Sequence, residues 1–226
     1  MSETPQQFNE QTKTDLTTSY RCPICQSKLL LESSTFKCEK NHSFDRAKEG
    51  YVNLLPVQFK HSKAPGDNKS MVRARRAFLE KDFYAPLIKT ITSLMKTNAP
   101  DVRNVLDAGC GEGYYTHQHK TDQTQVYGVD IAKEAVKIAA KKYKDCHFSV
   151  GTLSQLPFEN ELFGWIFSIY APILEEEFTR VLSPDGFLLT VTPAENHLME
   201  LKQLIYRDAK AHDISKQPIE NLALVS

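Results

Sequence analysis

The chain has 226 residues, 41% apolar and 25% charged, with a formal net charge of zero. That length holds one ordinary core plus about forty to sixty residues of a smaller module, and no apolar run approaches the roughly 20 residues that cross a bilayer as a helix. The zero conceals an asymmetry: residues 21–89 carry 14 Lys/Arg against 7 Asp/Glu, whereas residues 90–226 carry 13 against 18. The first half therefore suits a polyanion, or is simply a solvated charged face.

Residues 1–19 read as a polar, disordered lead-in without the basic and apolar regions of a signal peptide. The expected location is the cytoplasm, with no membrane partner, and in that reducing compartment grouped cysteines are metal ligands more often than disulfides. Residues 20–59 read as short strands and turns, with Lys28–Glu32 and Thr35–Lys37 flanking a possible hairpin turn at Ser33-Ser34. This segment has too little apolar surface for a core of its own. It does hold Cys22, Cys25, Cys38 and His42 in the spacing C-x2-C-x12-C-x3-H. Two ligand pairs on tight turns can enclose a tetrahedral Zn²⁺, and the bond energy replaces the missing core. A redox reading of the first pair needs a thioredoxin-like context that is absent. Cys110 and Cys146 fit no ligand spacing and read as small buried residues, and the remaining histidines outside the quartet form no ligand pattern.

Residues 60–99 read as a basic helical linker. Loop-forming residues run from His61 to Asp67, followed by a helix with Met71, Ala74, Ala77 and Phe78 on one face. A second helix carries Leu87, Ile88, Ile91, Leu94 and Met95 and stops near Pro100. Lys60, Lys63, Lys69, Arg73, Arg75 and Arg76 are the candidate contacts to the phosphates of a polyanion.

From residue 100 to 226 the rhythm is strand, turn, helix. Val105–Asp107, Val126–Asp130, His147–Val150, Trp165–Ile169 and Phe187–Val191 read as strands, with a helix from Ala132 to Tyr143 and another from Leu174 to Val181. The fold class is α/β, a Rossmann-like doubly wound parallel sheet. Between the first two strands lie Asp107, Gly109, Gly111 and Gly113. Bare backbone admits a ligand closely, but the sixth position from Gly109 is Tyr114, which departs from the dinucleotide fingerprint. Asp107 suits a ligand bearing an ammonium, and Asp130 is placed to accept hydrogen bonds from ribose hydroxyls. An ammonium plus a ribose describes S-adenosylmethionine; the plainer alternative is a tight turn and nothing more.

Leu106–Thr116 resembles the S-adenosylmethionine motif of class I methyltransferases. Together with CPIC, CEKNH, residues 44–57, residues 65–79 and residues 197–202, it resembles the bacterial 23S rRNA guanine-N1-methyltransferases of the RlmA (RrmA) family, from about Tyr20 to at least Tyr206. The resemblance implies zinc on Cys22, Cys25, Cys38 and His42, and donor contacts from Tyr84, Glu112, Gly113 and His197 beside Asp107, Gly109, Gly111 and Asp130. It also implies a homodimer holding an rRNA hairpin, with methyl transfer to N1 of a guanine. Tyr170, at the expected end of the fourth strand, is placed to stack on an extruded guanine or else to pack the strand end. No residue stands out as a general base.

Two departures from the pattern remain. Gly151-Thr152 stands where many class I enzymes place an adenine-contacting Asp. After a helix carrying Leu201 to Ala211, only Leu222–Val225 is left to begin a strand, so a shortened sheet with an unpaired edge is expected. Two other functions stay open: a non-catalytic zinc-containing RNA-binding protein with a degenerate methyltransferase domain, and a small-molecule methyltransferase.

Overall fold

The computed structural model describes residues 20–59, 66–212, 219 and 222. It contains two sheets. The smaller is antiparallel, with β1 (Leu30–Glu32), β2 (Thr35–Lys37) and β3 (Ser43–Asp45) in that order. The β1–β2 hairpin turns at Ser33-Ser34 as expected, Ser33 taking a φ of 59°. β3 escaped the sequence reading because Ser-Phe-Asp is too short and polar to show a strand period.

The larger sheet is six-stranded and wholly parallel, in the order β4-β7-β6-β5-β8-β9. Its strands are β4 (Val52–Asn53), β5 (Asn104–Ala108), β6 (Gln125–Asp130), β7 (His147–Val150), β8 (Phe163–Ile169) and β9 (Leu182–Val191). The inner strands are nearly continuous apolar runs, as burial on both faces requires. Chain order reverses at β5, which lies between β6 and β8, so a crevice opens beyond the carboxyl ends of these strands. Against β8, Leu182 of β9 faces Phe163 and Phe187 faces Trp165, so Ser183–Gly186 bulges out of the ladder. Pro184 has no amide hydrogen to contribute there.

The helices are α1 (Lys69–Leu79), α2 (Ala85–Asn98), α3 (Tyr114–His117), α4 (Lys133–Lys142), α5 (Glu175–Val181) and α6 (Met199–Ile205). Asn68 caps α1, its side chain accepting the amide hydrogens of Ser70 and Met71 at 3.0 Å. The expected apolar face of α1 is not its buried face: Met71, Ala74, Ala77 and Phe78 are exposed, while Val72 and Leu79 are buried. Val72 packs with Ala132 and Ala135 on α4, so the contact follows where α4 lies rather than the longest apolar stripe. α2 buries Ile91 and Met95 and leaves Leu94 exposed. α6 ends at Ile205 and buries no residue, shorter than the helix expected to reach Ala211.

The segment 20–59 is joined to the larger sheet rather than set apart from it. β4 pairs with β7, the amide of Arg21 donates to Pro157 O at 3.0 Å, and the Tyr20 ring stacks on Phe158 with centroids 5.4 Å apart. Cys22, Leu29 and Phe36 share one buried cluster with Leu106, Tyr127, Phe158 and Ile166. At the other edge β9 has no outer partner strand among the described residues. Leu222 packs on the core, while Ala223–Val225 of the expected last strand, and Lys60 and Lys63, lie outside the described residues. No described helix is long and apolar enough to cross a membrane.

Candidate functional site

The ligand atoms of Cys22, Cys25, Cys38 and His42 all lie within 4.8 Å of one another. Each pair sits on a tight turn: the amide of Gln26 donates to Cys22 O at 2.8 Å and that of Asn41 to Cys38 O at 2.9 Å. Gln26 and Asn41 both take a φ of 63°, which turns each knuckle back on itself. Sγ of Cys25 and Cys38 are 3.6 Å apart, and His42 Nδ1 is 3.5 Å from Cys22 Sγ and 3.4 Å from Cys38 Sγ. A tetrahedron with zinc–sulfur bonds of about 2.3 Å has edges of about 3.8 Å, so the quartet fits the ion. A hydrogen bond with the Ser27 hydroxyl holds the Cys25 thiol down to about 6, and burial pushes Cys22 up to about 11.

At the β5 switch point lies a cleft of about 690 Å³. Gly109 and Gly111 carry the chain across its floor with φ of 89° and 53°, and Gly113, at 81°, follows behind it. A Cβ on Gly109 would meet that of Ala171 at 2.5 Å, whereas one on Gly111 would meet nothing within 4 Å. Gly111 thus leaves open space that a ligand can occupy. Its amide donates to Asp130 Oδ2 at 2.8 Å, and the amide of Ala132 donates to Asp130 Oδ1 at 2.7 Å. Asp130 lines the cleft with both oxygens oriented and with lone pairs left for further donors.

Two expected donor contacts do not line this cleft. Asp107 is only 2% exposed, takes a 2.6 Å hydrogen bond from Thr116 Oγ1, and has its carboxyl pushed up to about 7 by burial. It lies beneath the glycine turn as a support. Gly113 is glycine for packing: a Cβ there would come within 3.0–3.1 Å of Ala139, Tyr143 and Phe148. Glu112, by contrast, is on the cleft lining with Asp130, 3% exposed and with no hydrogen-bond partner for either oxygen among the described residues. Arg76 Nε is 4.0 Å from it, and burial raises its pKa. A carboxylate buried without a hydrogen bond is costly, and a cationic ligand would add to the long Arg76 contact in complementing it.

The opposite wall is aromatic. Tyr84, at the start of α2, meets Tyr170 edge-on at 6.2 Å, and Tyr170 lies 5.4 Å from the His197 ring at 34°. Tyr170 is 42% exposed and takes a φ of 55°, a strained conformation for a residue of its size. Its amide donates to Val191 O at 2.9 Å. Burial and the neighbouring Tyr84 push its phenol up to about 12. Gly151 and Thr152 line the cleft where the adenine-contacting Asp was missed.

The basic residues of α1 separate into two sets. Arg75 pairs with Asp67 at 2.8 Å on the cleft edge, and Arg76 pairs with Glu80 at 2.8 Å beside Glu112. Each of these two arginines therefore already has a carboxylate partner. Lys69 approaches Glu134 only at 3.9 Å, and Arg73 is exposed with no ion-pair partner among the described residues. The structure also gathers His117, Asp145 and Cys146 within 4.8 Å, a cluster that spacing alone does not reveal. Burial pushes the Cys146 thiol up to about 12 and His117 stacks on Tyr143, so the cluster is a poor thiolate site.

A cleft at the switch point that offers an oriented carboxylate to hydroxyl groups and a buried one to a cation fits S-adenosylmethionine, and the chain is a class I S-adenosylmethionine-dependent methyltransferase preceded by a zinc ribbon. Residues 20–63 match the family model described as RlmA, N-terminal, and residues 105–186 match that described as a methyltransferase domain. The 23S rRNA (guanine(748)-N(1))-methyltransferase of Streptomyces fradiae is 33% identical over 208 residues, spanning 87% of this chain and 72% of the relative. YxjB of Bacillus subtilis is 31% identical over 200 residues, spanning 84% of this chain and 70% of the relative. The chain belongs to the 23S rRNA (guanine-N(1)-)-methyltransferase family. By contrast, the malonyl-[acyl-carrier protein] O-methyltransferase of Serratia marcescens is 29% identical over only 104 residues, 43% of this chain and 41% of the relative.

Proposed function

We propose that this chain transfers the methyl group of S-adenosylmethionine to N1 of a guanine in 23S rRNA. The observation that carries the reading is the clamped Asp130 carboxylate beside the bare backbone of Gly111. The open cleft counts against a degenerate, non-catalytic domain. The zinc ribbon, which a small substrate would not need, counts against a small-molecule methyltransferase.

S-adenosylmethionine supplies an electrophilic methyl on a sulfonium. Asp130 would hold the ribose hydroxyls, Gly109 and Gly111 would admit the donor, Glu112 would complement its positive charge, and Tyr84 and His197 would add contacts from the aromatic wall. Asp107 and Gly113 act one layer below, through Thr116 and through α4. Positioning an in-line nucleophile supplies most of the rate of such a transfer, so Tyr170 acts by stacking on the extruded guanine. Cys22, Cys25, Cys38 and His42 hold a structural zinc. Residues 20–59 and the linker 60–99 grip the RNA, with Arg73, Lys69, Lys60 and Lys63 on its phosphates, and residues 100–226 hold the donor. The working form is a cytoplasmic homodimer, a reading supported by the family likeness and by the exposed Leu201, Leu204 and Ile205 on α6.

Calorimetric titration with S-adenosylmethionine, followed by incubation of the labelled donor with unmodified 23S rRNA, tests the proposal. Binding and label on N1 of a guanine are expected; binding with label only on other atoms or molecules overturns the substrate, and no binding overturns the whole reading.

A further inference from the structure

Methylation at N1 forms an N–CH₃ bond and breaks the S–CH₃ bond, whose electron pair stays on sulfur as a neutral thioether. The N1 proton must also leave, or the product base carries a positive charge. A group within reach of the base has to take it, and the cleft-lining residues differ in their capacity to do so.

Each cleft-lining carboxylate already faces a donor or a cation. Asp130 accepts two backbone amides, Asp67 accepts from Arg75, and Glu112 is buried next to Arg76. Burial keeps the Tyr170 and Tyr115 phenols protonated and raises the Cys110 thiol well above its ordinary range. His197 is the imidazole on the cleft lining. It is half-buried, its ring nitrogens make no hydrogen bond to a described residue, and its ring tilts 34° against Tyr170 at 5.4 Å. Its backbone is fixed by a 2.9 Å hydrogen bond from its amide to Ala194 O.

Resting on the proposed function, we infer that His197 is the general base: its neutral imidazole takes the N1 proton of the guanine that Tyr170 holds, while N1 attacks the methyl group. Imidazole changes charge in the range where such a proton can be taken and returned to solvent. The titratable groups facing His197 are Tyr170 at the end of β8, Tyr84 beyond it on α2, and His212 after α6, whose ring lies 5.9 Å away. His212 Nε2 is buried without a hydrogen-bond partner among the described residues. His197 forms no ion pair among the described residues.

The test is single-turnover methylation of unmodified 23S rRNA by the full chain at saturating donor, from about pH 5.5 to about pH 9. The wild-type rate should climb with pH and level off as one group loses its proton. His197→Gln should be slower by about 10²-fold or more near neutrality at saturating donor and should lose that break, any change in S-adenosylmethionine affinity being read separately by calorimetry. His197→Ala should regain rate as free imidazole is added. A His197→Gln variant with wild-type rate, or a slowed one that keeps the break and gains nothing from imidazole in the Ala form, overturns the assignment. Wild-type chain that binds donor but never methylates guanine N1 overturns the proposed function with it, a result distinct from either of those.

Discussion

Asp130 and Gly111 meet across the mouth of the cleft, the Gly111 amide donating to Asp130 Oδ2 at 2.8 Å. The carboxylate is thereby aimed before any ligand arrives. Asp130→Asn should keep the fold but present an NH₂ group where hydroxyl donors are expected. Loss of a charge-assisted hydrogen bond costs about 1.5–3 kcal/mol, so affinity for S-adenosylmethionine should fall about 10- to 100-fold by calorimetry. Undiminished affinity would remove Asp130 from the donor site.

Gly111 and Gly113 should fail differently. Gly113→Ala forces a Cβ to within 3.0–3.1 Å of Ala139, Tyr143 and Phe148 at a φ of 81°, and should cost about 1–3 kcal/mol in urea unfolding. Gly111→Ala meets no protein atom within 4 Å, so its stability loss should be about 1 kcal/mol from the φ of 53° alone, while donor affinity drops as the methyl enters the cleft. Equal stability losses would contradict the division between packing and cleft.

Asp107 links stability to pH. Its folded carboxyl titrates at about 7 because it is buried, whereas an unfolded Asp titrates near 3.9. Between those values the unfolded chain has shed a proton that the folded chain keeps, so this group's contribution is full below about pH 4 and is lost as pH rises towards 7. Asp107→Asn, which has no carboxyl to ionise, should melt higher than wild type at pH 8 and close to it at pH 4.5. The difference between the two melting curves isolates this residue from the zinc ligands, and a constant gap across pH would disprove the linkage.

Zinc removal should reach beyond the ribbon. Tyr20 stacks on Phe158, and Cys22 and Phe36 share a buried cluster with the strands of the larger sheet. Chelation, or Cys38→Ser, should therefore lower the melting temperature of the catalytic sheet and weaken donor binding, although the metal does not line the cleft. A two-step melt with an unaltered second transition would show that the ribbon unfolds alone.

The arginines of α1 should separate in salt titrations. Arg73→Ala should weaken rRNA binding and reduce the slope of log affinity against log salt by about 1. Arg75→Ala, which breaks the 2.8 Å pair with Asp67 on the cleft edge, should leave that slope intact and alter donor affinity instead. Matching salt slopes for the two variants would return Arg75 to the phosphate surface.

The zinc quartet and the glycine turn were legible in the sequence because each is local: two short knuckles place four ligands, and one strand-turn-strand unit brings Gly111 against Asp130. The parallel sheet followed from its repeated rhythm for the same reason. Only the tertiary structure decided which carboxylate faces the cleft, since Asp107 and Glu112 stand a few residues apart and burial beneath the turn turns one inward. It also decided that α1 docks through Val72 rather than its apolar stripe, that Arg75 and Arg76 fold back onto carboxylates, and that β4 completes the edge of the larger sheet. Tyr170 and His197 become neighbours only because the segment after β9 returns to the end of β8. Such pairings depend on packing between distant segments, which residue type and spacing do not encode.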